Sequence, residues 1–335
     1  MDRVDIWYQS FQFLREVGRH DDQTSASLTV PRYAWVPQLI VFFILASAAG
    51  PKFDVTTKST GGDEETIIAN RISFFSMCFS SAITYTPSSA DFLVYCNSKL
   101  LSRTKVFIAV FMGLSLSFSF CFMLGTGLAS GASNDQTLVD GVGSGALIVS
   151  GFDSLGSFGK FCAVVVALGL ISNMIPPVYC FGIDLQILGR YPAMIPRFLW
   201  NTLGVILFAA CALAGRQSLS AIFTNFLALM GYWVAIWIAI TLEEQLVFRR
   251  YGLAPPFNWN DWNNKNSLPI GMAALVAFLV GWAGAILCMA QTYYVGPLAS
   301  LVGENGVDIG NYVGFMWAAL VFPPLRYWEL KKFGR

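Results

Sequence analysis

Residues 105–129 read KVFIAVFMGLSLSFSFCFMLGTGLA, and after Lys105 the run contains no charged side chain. At a rise of about 1.5 Å per residue, a helix of this length crosses the roughly 30 Å hydrocarbon core of a bilayer. No water reaches backbone N–H and C=O groups there, so a spanning segment must satisfy them within itself. Outward from this run the pattern repeats: stretches at 33–50, 71–95, 159–182, 195–215, 219–242, 269–291 and 308–326 are largely apolar, with polar connections between them. The many short alternating segments that a membrane barrel needs do not occur. The expected fold class is an all-α membrane protein with about eight transmembrane helices.

The composition agrees. Of 335 residues, 55% are hydrophobic and 12% charged, against about 25% charged in an ordinary soluble domain. A formal net charge of +1 lacks the basic footprint of a nucleic-acid binder, which excludes that class of partner. The seven cysteines lie singly, mostly in apolar runs (Cys78, Cys121, Cys162, Cys180, Cys211, Cys288). With no C-x-x-C pair, neither a disulfide framework nor a zinc site is suggested. His20 is the only histidine, so a Ser-His-Asp or Cys-His constellation would have to rest on it, and no enzyme is expected. The opening MDRVDIWYQSFQFLREVGRHDDQ is too charged to hold the apolar centre of a secretory signal.

Lys and Arg favour cytoplasmic loops, which sets the orientation. With the N-terminus inside, the inner segments carry Arg3, Arg15, Arg19 and Arg32, then Lys99, Arg103 and Lys105, then Arg190 and Arg197, then Arg249, Arg250 and Lys265, and finally Arg326, Lys331, Lys332 and Arg335. The outer loops keep Lys52, Lys58, Arg71, Lys160 and Arg216, among acids such as Asp54, Asp63, Glu64, Glu65, Asp135, Asp140 and Asp153. Residues 1–32 read as a cytoplasmic N-terminal segment, 33–326 as the membrane domain and 327–335 as a cytoplasmic tail.

Two spans carry punctuation that a plain anchor has no use for. In the second, Ser80-Ser81-Ala82-Ile83-Thr84-Tyr85-Thr86-Pro87-Ser88-Ser89-Ala90-Asp91 sets small and hydroxyl residues around a proline. In the fourth, Leu170-Ile171-Ser172-Asn173-Met174-Ile175-Pro176-Pro177 sets an amide before a double proline. Both spans are expected to be interrupted, and discontinuous helices near the bilayer midplane point to the binding site of a secondary transporter. Simpler readings stand beside this one. Pro87 could be a kink satisfied by nearby hydroxyls, Asn173 could join two helices, and Asp91 could face water or cap a neighbour. Glu243 and Glu244 with Arg249 and Arg250 read first as a helix-end anchor with local ion pairs.

Further motifs carry a resemblance. Arg32-Tyr33-Ala34-Trp35-Val36-Pro37-Gln38, Ala49-Gly50-Pro51, Thr86-Pro87-Ser88-Ser89-Ala90-Asp91-Phe92, Ile195-Pro196-Arg197, Asn225-Phe226-Leu227-Ala228-Leu229-Met230-Gly231-Tyr232-Trp233, Leu268-Pro269-Ile270-Gly271, Met289-Ala290-Gln291, Gly296-Pro297 and Asp308-Ile309-Gly310 follow one another in order. Together they resemble the nucleobase:cation symporter-1 family, in its fungal purine-cytosine permease branch, from about residue 32 to the end. The resemblance implies a partial inverted-repeat transporter fold of the LeuT type. The first span here is similar to the family's fifth and the last to its twelfth, so the first four family spans are expected to be missing.

The resemblance also implies a function: secondary active transport of purine bases or cytosine, by proton symport, across the plasma membrane, expected to be incomplete in the chain as it stands. Beyond the coupling proton it implies no cofactor. A nucleobase is apolar on its faces and polar at its edges, so its site wants an aromatic plane and edge-binding amides. The substrate-binding residues carried over are Thr84 and Tyr85, the tyrosine in the stacking position, and Ser172, Asn173, Met174 and Pro176 of the fourth span. Met174 stands where the family has a second Asn, and Pro177 replaces another polar residue. A lost edge contact costs about 1–3 kcal/mol, which leaves the choice among cytosine, adenine, guanine and hypoxanthine open. The alternative is a non-transporting membrane protein that associates with or regulates a full-length paralogue. Partners are thus the base, the lipid bilayer and a second copy or such a paralogue. A cysteine placed in the Gln136–Gly145 loop should react with an impermeant thiol reagent applied outside, and Lys265→Cys should not. The reverse labelling pattern contradicts the orientation.

Overall fold

The computed structural model of the chain describes residues 22–54, 56, 61–87, 89, 102–132, 144–215, 219–255 and 268–335. The helices are α1 (Asp22–Ala49), α2 (Glu64–Ile83), α3 (Arg103–Ala132), α4 (Ser144–Gly151), α5 (Ser157–Ile187), α6 (Arg190–Met194), α7 (Arg197–Gly215), α8 (Leu219–Glu243), α9 (Met272–Cys288) and α10 (Gly310–Phe333). A π-helical turn, Glu244–Arg249, continues α8. Strands β1 (Ala290–Gln291) and β2 (Tyr294–Val295) pair antiparallel in a small ribbon. This is an all-α membrane protein, and each of the eight expected spans falls on a helix.

Among the described residues, six helices are long and apolar enough to cross a membrane: Trp35–Lys52, Glu64–Pro87, Thr104–Gly131, Ser157–Ile187, Arg197–Gly215 and Thr224–Arg249. The other two expected spans differ for physical reasons. Met272–Cys288 is apolar but shorter, because the chain leaves the helix at Met289 and turns into the ribbon, so the expected boundary at 291 is too late. Helix α10 carries Arg326, Glu329, Lys331 and Lys332 in its last turns. The second span begins at Glu64 rather than 71. Glu64 and Glu65, expected in a loop, form the first turn, where acids complement the positive end of the helix. His20 and Asp91 lie outside the described residues, as does most of the expected N-terminal segment.

The chain divides into two compact units, Met1–Thr57 with Ser88–Ser220 and Lys58–Pro87 with Ala221–Arg335. In the first, Val41, Leu45 and Ala49 lie one turn apart on α1 and meet Leu124 and Leu128 of α3, Phe152, and Cys162 and Val166 of α5. The opposite side of α5, with Phe161, Val164, Leu168 and Ile171, stays exposed, as expected of a surface in contact with lipid tails.

The second unit is built on small residues. Ala273, Ala277, Gly281 and Ala285 repeat every fourth position on α9, and Gly310, Gly314 and Ala318 do so on α10; all are buried. A Cβ on Gly281 would lie 3.0 Å from the carbonyl oxygen of Gly314. Lipid tails give apolar helices no hydrophobic reason to associate, so close backbone approach of this kind supplies the packing energy.

A buried ion cluster ties the end of α8, the start of α9 and the end of α10. Glu244 Oε2 accepts from Arg326 Nε at 2.9 Å and Glu244 Oε1 from Arg326 Nη2 at 3.2 Å. Glu244 Oε1 also pairs with Arg249 Nε at 3.1 Å, so the local pair expected from the sequence is present as part of a larger network. Arg326 Nη1 donates to Glu329 Oε1 at 2.7 Å, and Glu329 Oε2 accepts the Ala273 N–H at 2.9 Å in the first turn of α9. Arg326→Ala would leave the buried Glu329 carboxylate without its cation and Glu244 with Arg249 alone, a loss of about 3–5 kcal/mol. Thermal unfolding in detergent should show it, while Lys331→Ala, an exposed change on the same helix, should stay within about 0.5 kcal/mol. Equal melting of the two variants contradicts the role given to the cluster.

Candidate functional site

Helix α2 undoes its own ladder as it nears Thr84. Ser80 Oγ donates to the Ser76 carbonyl at 2.9 Å, Ser81 Oγ to Met77 at 3.0 Å and Thr84 Oγ1 to Ser81 at 2.8 Å. Such bonds from hydroxyls to the preceding turn weaken and bend a helix. Pro87 has no N–H to offer the Ile83 carbonyl. Regular helix lapses for one residue at Thr84, which keeps helical backbone angles (φ −63°, ψ −17°), and resumes for residues 85–87. The described residues thus show a local loosening of the second span beside Tyr85, which is 48% exposed, rather than a full break.

The fourth span behaves differently from expectation. Helix α5 runs unbroken for 31 residues, through Asn173, Pro176 and Pro177. A membrane helix tolerates proline without breaking when local adjustment and neighbours re-satisfy the freed groups. The double proline still has a specific effect. Residues 176 and 177 cannot donate to the carbonyls four positions back, which belong to Ser172 and Asn173. The unbroken helix thus presents two carbonyls without their ladder donors, next to the Asn173 side chain. Ser172 is buried at 7% exposure, Met174 is half-buried and Asn173 is exposed. Thr84 and Tyr85 belong to the second unit, and Ser172, Asn173, Met174 and Pro176 to the first.

The second unit also holds a polar junction to which the sequence reading assigned no role. Helix α2 carries Thr66, Ser73, Ser76 and Ser80 on one face, two turns apart for the first pair and about one turn apart for the rest, and Thr66, Ser76 and Ser80 are fully buried. Gly231 of α8 makes room for this face, since a Cβ there would collide with the Ser80 side chain. Asn311 of α10 reaches across: its Nδ2 donates to Ser80 Oγ at 2.8 Å and to Ser76 Oγ at 3.0 Å. Its Oδ1 accepts from no described residue. Beside it, Tyr232 OH donates to Asp308 Oδ2 at 2.8 Å, and Gln291 Nε2 donates to Tyr232 Oη at 2.7 Å and to the same carboxylate oxygen at 2.8 Å. The Asp308 N–H donates to Ser73 Oγ at 2.9 Å. Tyr232 is wholly buried, edge-on to Trp282 with ring centroids 6.4 Å apart. Gly231-Tyr232, Met289-Ala290-Gln291 and Asp308-Ile309-Gly310 are all among the ordered motifs of the sequence. Their meeting place depends on folding that the motifs alone do not specify. Among the described residues, no group of three or more His, Cys, Asp or Glu side chains converges as a metal site requires.

The comparisons with known proteins agree on one kind of relative. The chain is 32% identical to the vitamin B6 transporter TPN1 of Saccharomyces cerevisiae, over 92% of this chain and 62% of that protein. It is 34% identical to the purine-cytosine permease FCY21 of the same yeast, over 91% of this chain and 58% of the permease. With the purine-cytosine permease fcyB of Emericella nidulans the identity is 33%, over 90% and 59%. The chain thus spans about three-fifths of the length of the curated relatives it matches. No protein-family model matches it, and no solved structure does. These relatives are permeases, not enzymes, and with its membrane-length helices the chain is a multi-pass integral membrane protein. Over nine-tenths of its own length the chain is homologous to the fungal purine-cytosine permeases and the yeast vitamin B6 transporter.

Proposed function

We propose that the chain serves secondary transport of small flat heteroaromatic solutes, purine bases and cytosine first among them, by proton symport at the plasma membrane. The observation that carries this is the homology itself. Relatives named for two kinds of solute, a nucleobase and vitamin B6, match at similar identity over the same large share of the chain. What those solutes share is a planar ring with hydrogen-bonding groups at its edge. Tyr85 supplies a stacking plane where the helix loosens, and Asn173 with the carbonyls of Ser172 and Asn173 supplies polar groups for a ring edge. Thr84 and Pro176 act through the backbone, by the turn at one and the missing donor at the other. Met174 narrows the edge contacts to a single amide.

Asn173 also gives weight to a second reading. An exposed amide in the middle of an apolar helix is costly against lipid, so on either reading that face of the first unit meets a polar neighbour. In the alternative, the neighbour is another permease chain, and the protein regulates that chain instead of transporting alone.

The test is a chimaera in which this chain replaces the matching part of FCY21, assayed for uptake of labelled cytosine and adenine in yeast lacking its own permeases. Uptake is expected. Tyr85→Ala in the chimaera should weaken apparent affinity about tenfold or more, since stacking on an aromatic side chain is worth about 1–3 kcal/mol per base; Tyr85→Trp should preserve it. Unchanged affinity in Tyr85→Ala removes the stacking role. A chimaera that reaches the plasma membrane and takes up neither base contradicts the assignment of substrate.

A further inference from the structure

Asp308 is a buried carboxylate whose hydrogen-bond donors are all neutral. It is 5% exposed and lies just before α10. Oδ2 accepts from Tyr232 OH and Gln291 Nε2, each at 2.8 Å, and Oδ1 accepts from the Gly310 N–H at 3.2 Å. Among the described residues no Lys or Arg donates to it; the Glu244, Arg249, Arg326 and Glu329 cluster lies at the other end of α10. Among the described residues, the groups that face it are uncharged: Tyr232 from α8, Cys288 at the end of α9, Gln291 and Tyr293 from the ribbon and its turn, and Tyr312 from α10, while Ser73 Oγ of α2 accepts its backbone N–H. An ionisable group placed this way in a membrane protein calls for a functional reason.

We propose that Asp308 is a proton-binding site, and that its protonation and deprotonation re-form the contacts among α2, α8, the ribbon and α10. This goes beyond the transport reading, because proton uptake at Asp308 is a property of the second unit and holds or fails whichever solute is carried.

The hydrogen-bond inventory makes the site two-state. With the carboxylate ionised, the Tyr232 O–H, the Gln291 Nε2–H and the Gly310 N–H all point hydrogens at it. A proton delivered by water forms an O–H bond at Oδ2 and needs an acceptor. Tyr232 Oη stands 2.8 Å from that atom, donates to it and accepts from Gln291. For Oη to accept from Asp308, the tyrosine O–H must rotate away from Oδ2. Release of the proton to water restores the first arrangement. There is little slack for a compromise, since a Cβ on Gly310 would stand 2.8 Å from the Tyr232 ring. The ribbon that covers the site exposes Tyr293 and Tyr294, a short way from Gln291 to solvent.

A simpler role is available: Asp308 could remain ionised and only orient the start of α10 through Gly310. Infrared difference spectra of the purified chain in lipid nanodiscs, recorded across the interval in which carboxyl groups titrate, separate the two. The proposal expects a C=O stretch of a buried protonated carboxyl that appears reversibly on acidification. It should shift when the chain is made with isotope-labelled aspartate, persist in Glu243→Gln and vanish in Asp308→Asn. Should Asp308→Asn fail to fold, the isotope shift in the unmutated chain still identifies an aspartate, and Tyr232→Phe should move both the frequency and the midpoint of the band. No titrating band, a band insensitive to labelled aspartate, a band that survives in Asp308→Asn, or one unmoved by Tyr232→Phe would each overturn the proposal.

Discussion

Gly231 sits against Ser80, and the second unit is organised around that approach. A side chain at 231 would push α2 off α8 and take Ser76 and Ser80 out of reach of Asn311. With glycine there, one amide clamps two successive turns of α2 from the far side. In lipid, where water cannot substitute, a hydroxyl stripe of this kind has to find partners within the protein. One turn beyond the clamp, the Thr84 N–H still reaches the Ser80 carbonyl at 3.2 Å, and the regular ladder loosens there. The position of Tyr85 is therefore set by a helix end that is held on one side and released on the other.

Two polar networks with different chemistry hold this unit. The cluster at the C-terminal end of α10 is ionic, with Arg326 between Glu244 and Glu329, and Glu329 also caps α9. The junction at the N-terminal end is made of hydroxyls, amides and one carboxylate with neutral donors. Between them, the seam of α9 and α10 is packed by glycine and alanine, so the two helices are joined at both ends and along their length. An ionic cluster with matched charges favours one arrangement strongly. A carboxylate among neutral donors has two protonation states that ask for different neighbours, which suits it to change rather than to fixation.

Apolar length placed the helices because the constraint it reads is one-dimensional: a segment either has enough uninterrupted apolar residues to cross or it has not. The loosening after Ile83 was legible too, since three hydroxyls and a proline act on their own helix within a few residues. The fourth span defeated the same reasoning. Pro176 and Pro177 remove donors but need not end a helix, and whether they do depends on neighbours that the local sequence does not name. Asp308, Gln291 and Tyr232 were visible only as members of separate motifs, and Asn311 belonged to none of them. Their contacts bridge up to 235 positions in the chain, and no periodicity reports such a distance. The first strand of the ribbon was absorbed into the expected span because Met289 and Ala290 continue the apolar run and Gln291 is the strand's only polar residue.

The account depends most on Asn311 holding α2 through Ser80. A double-mutant cycle of Asn311→Ala and Ser80→Ala, read as unfolding free energy in mixed micelles, measures that link directly. Interhelical hydrogen bonds in membranes average about 0.6 kcal/mol and reach about 1.7 kcal/mol. A coupling energy toward the upper part of that range is predicted here, because both groups are fully buried. Additive losses, with no coupling between the two sites, would contradict it.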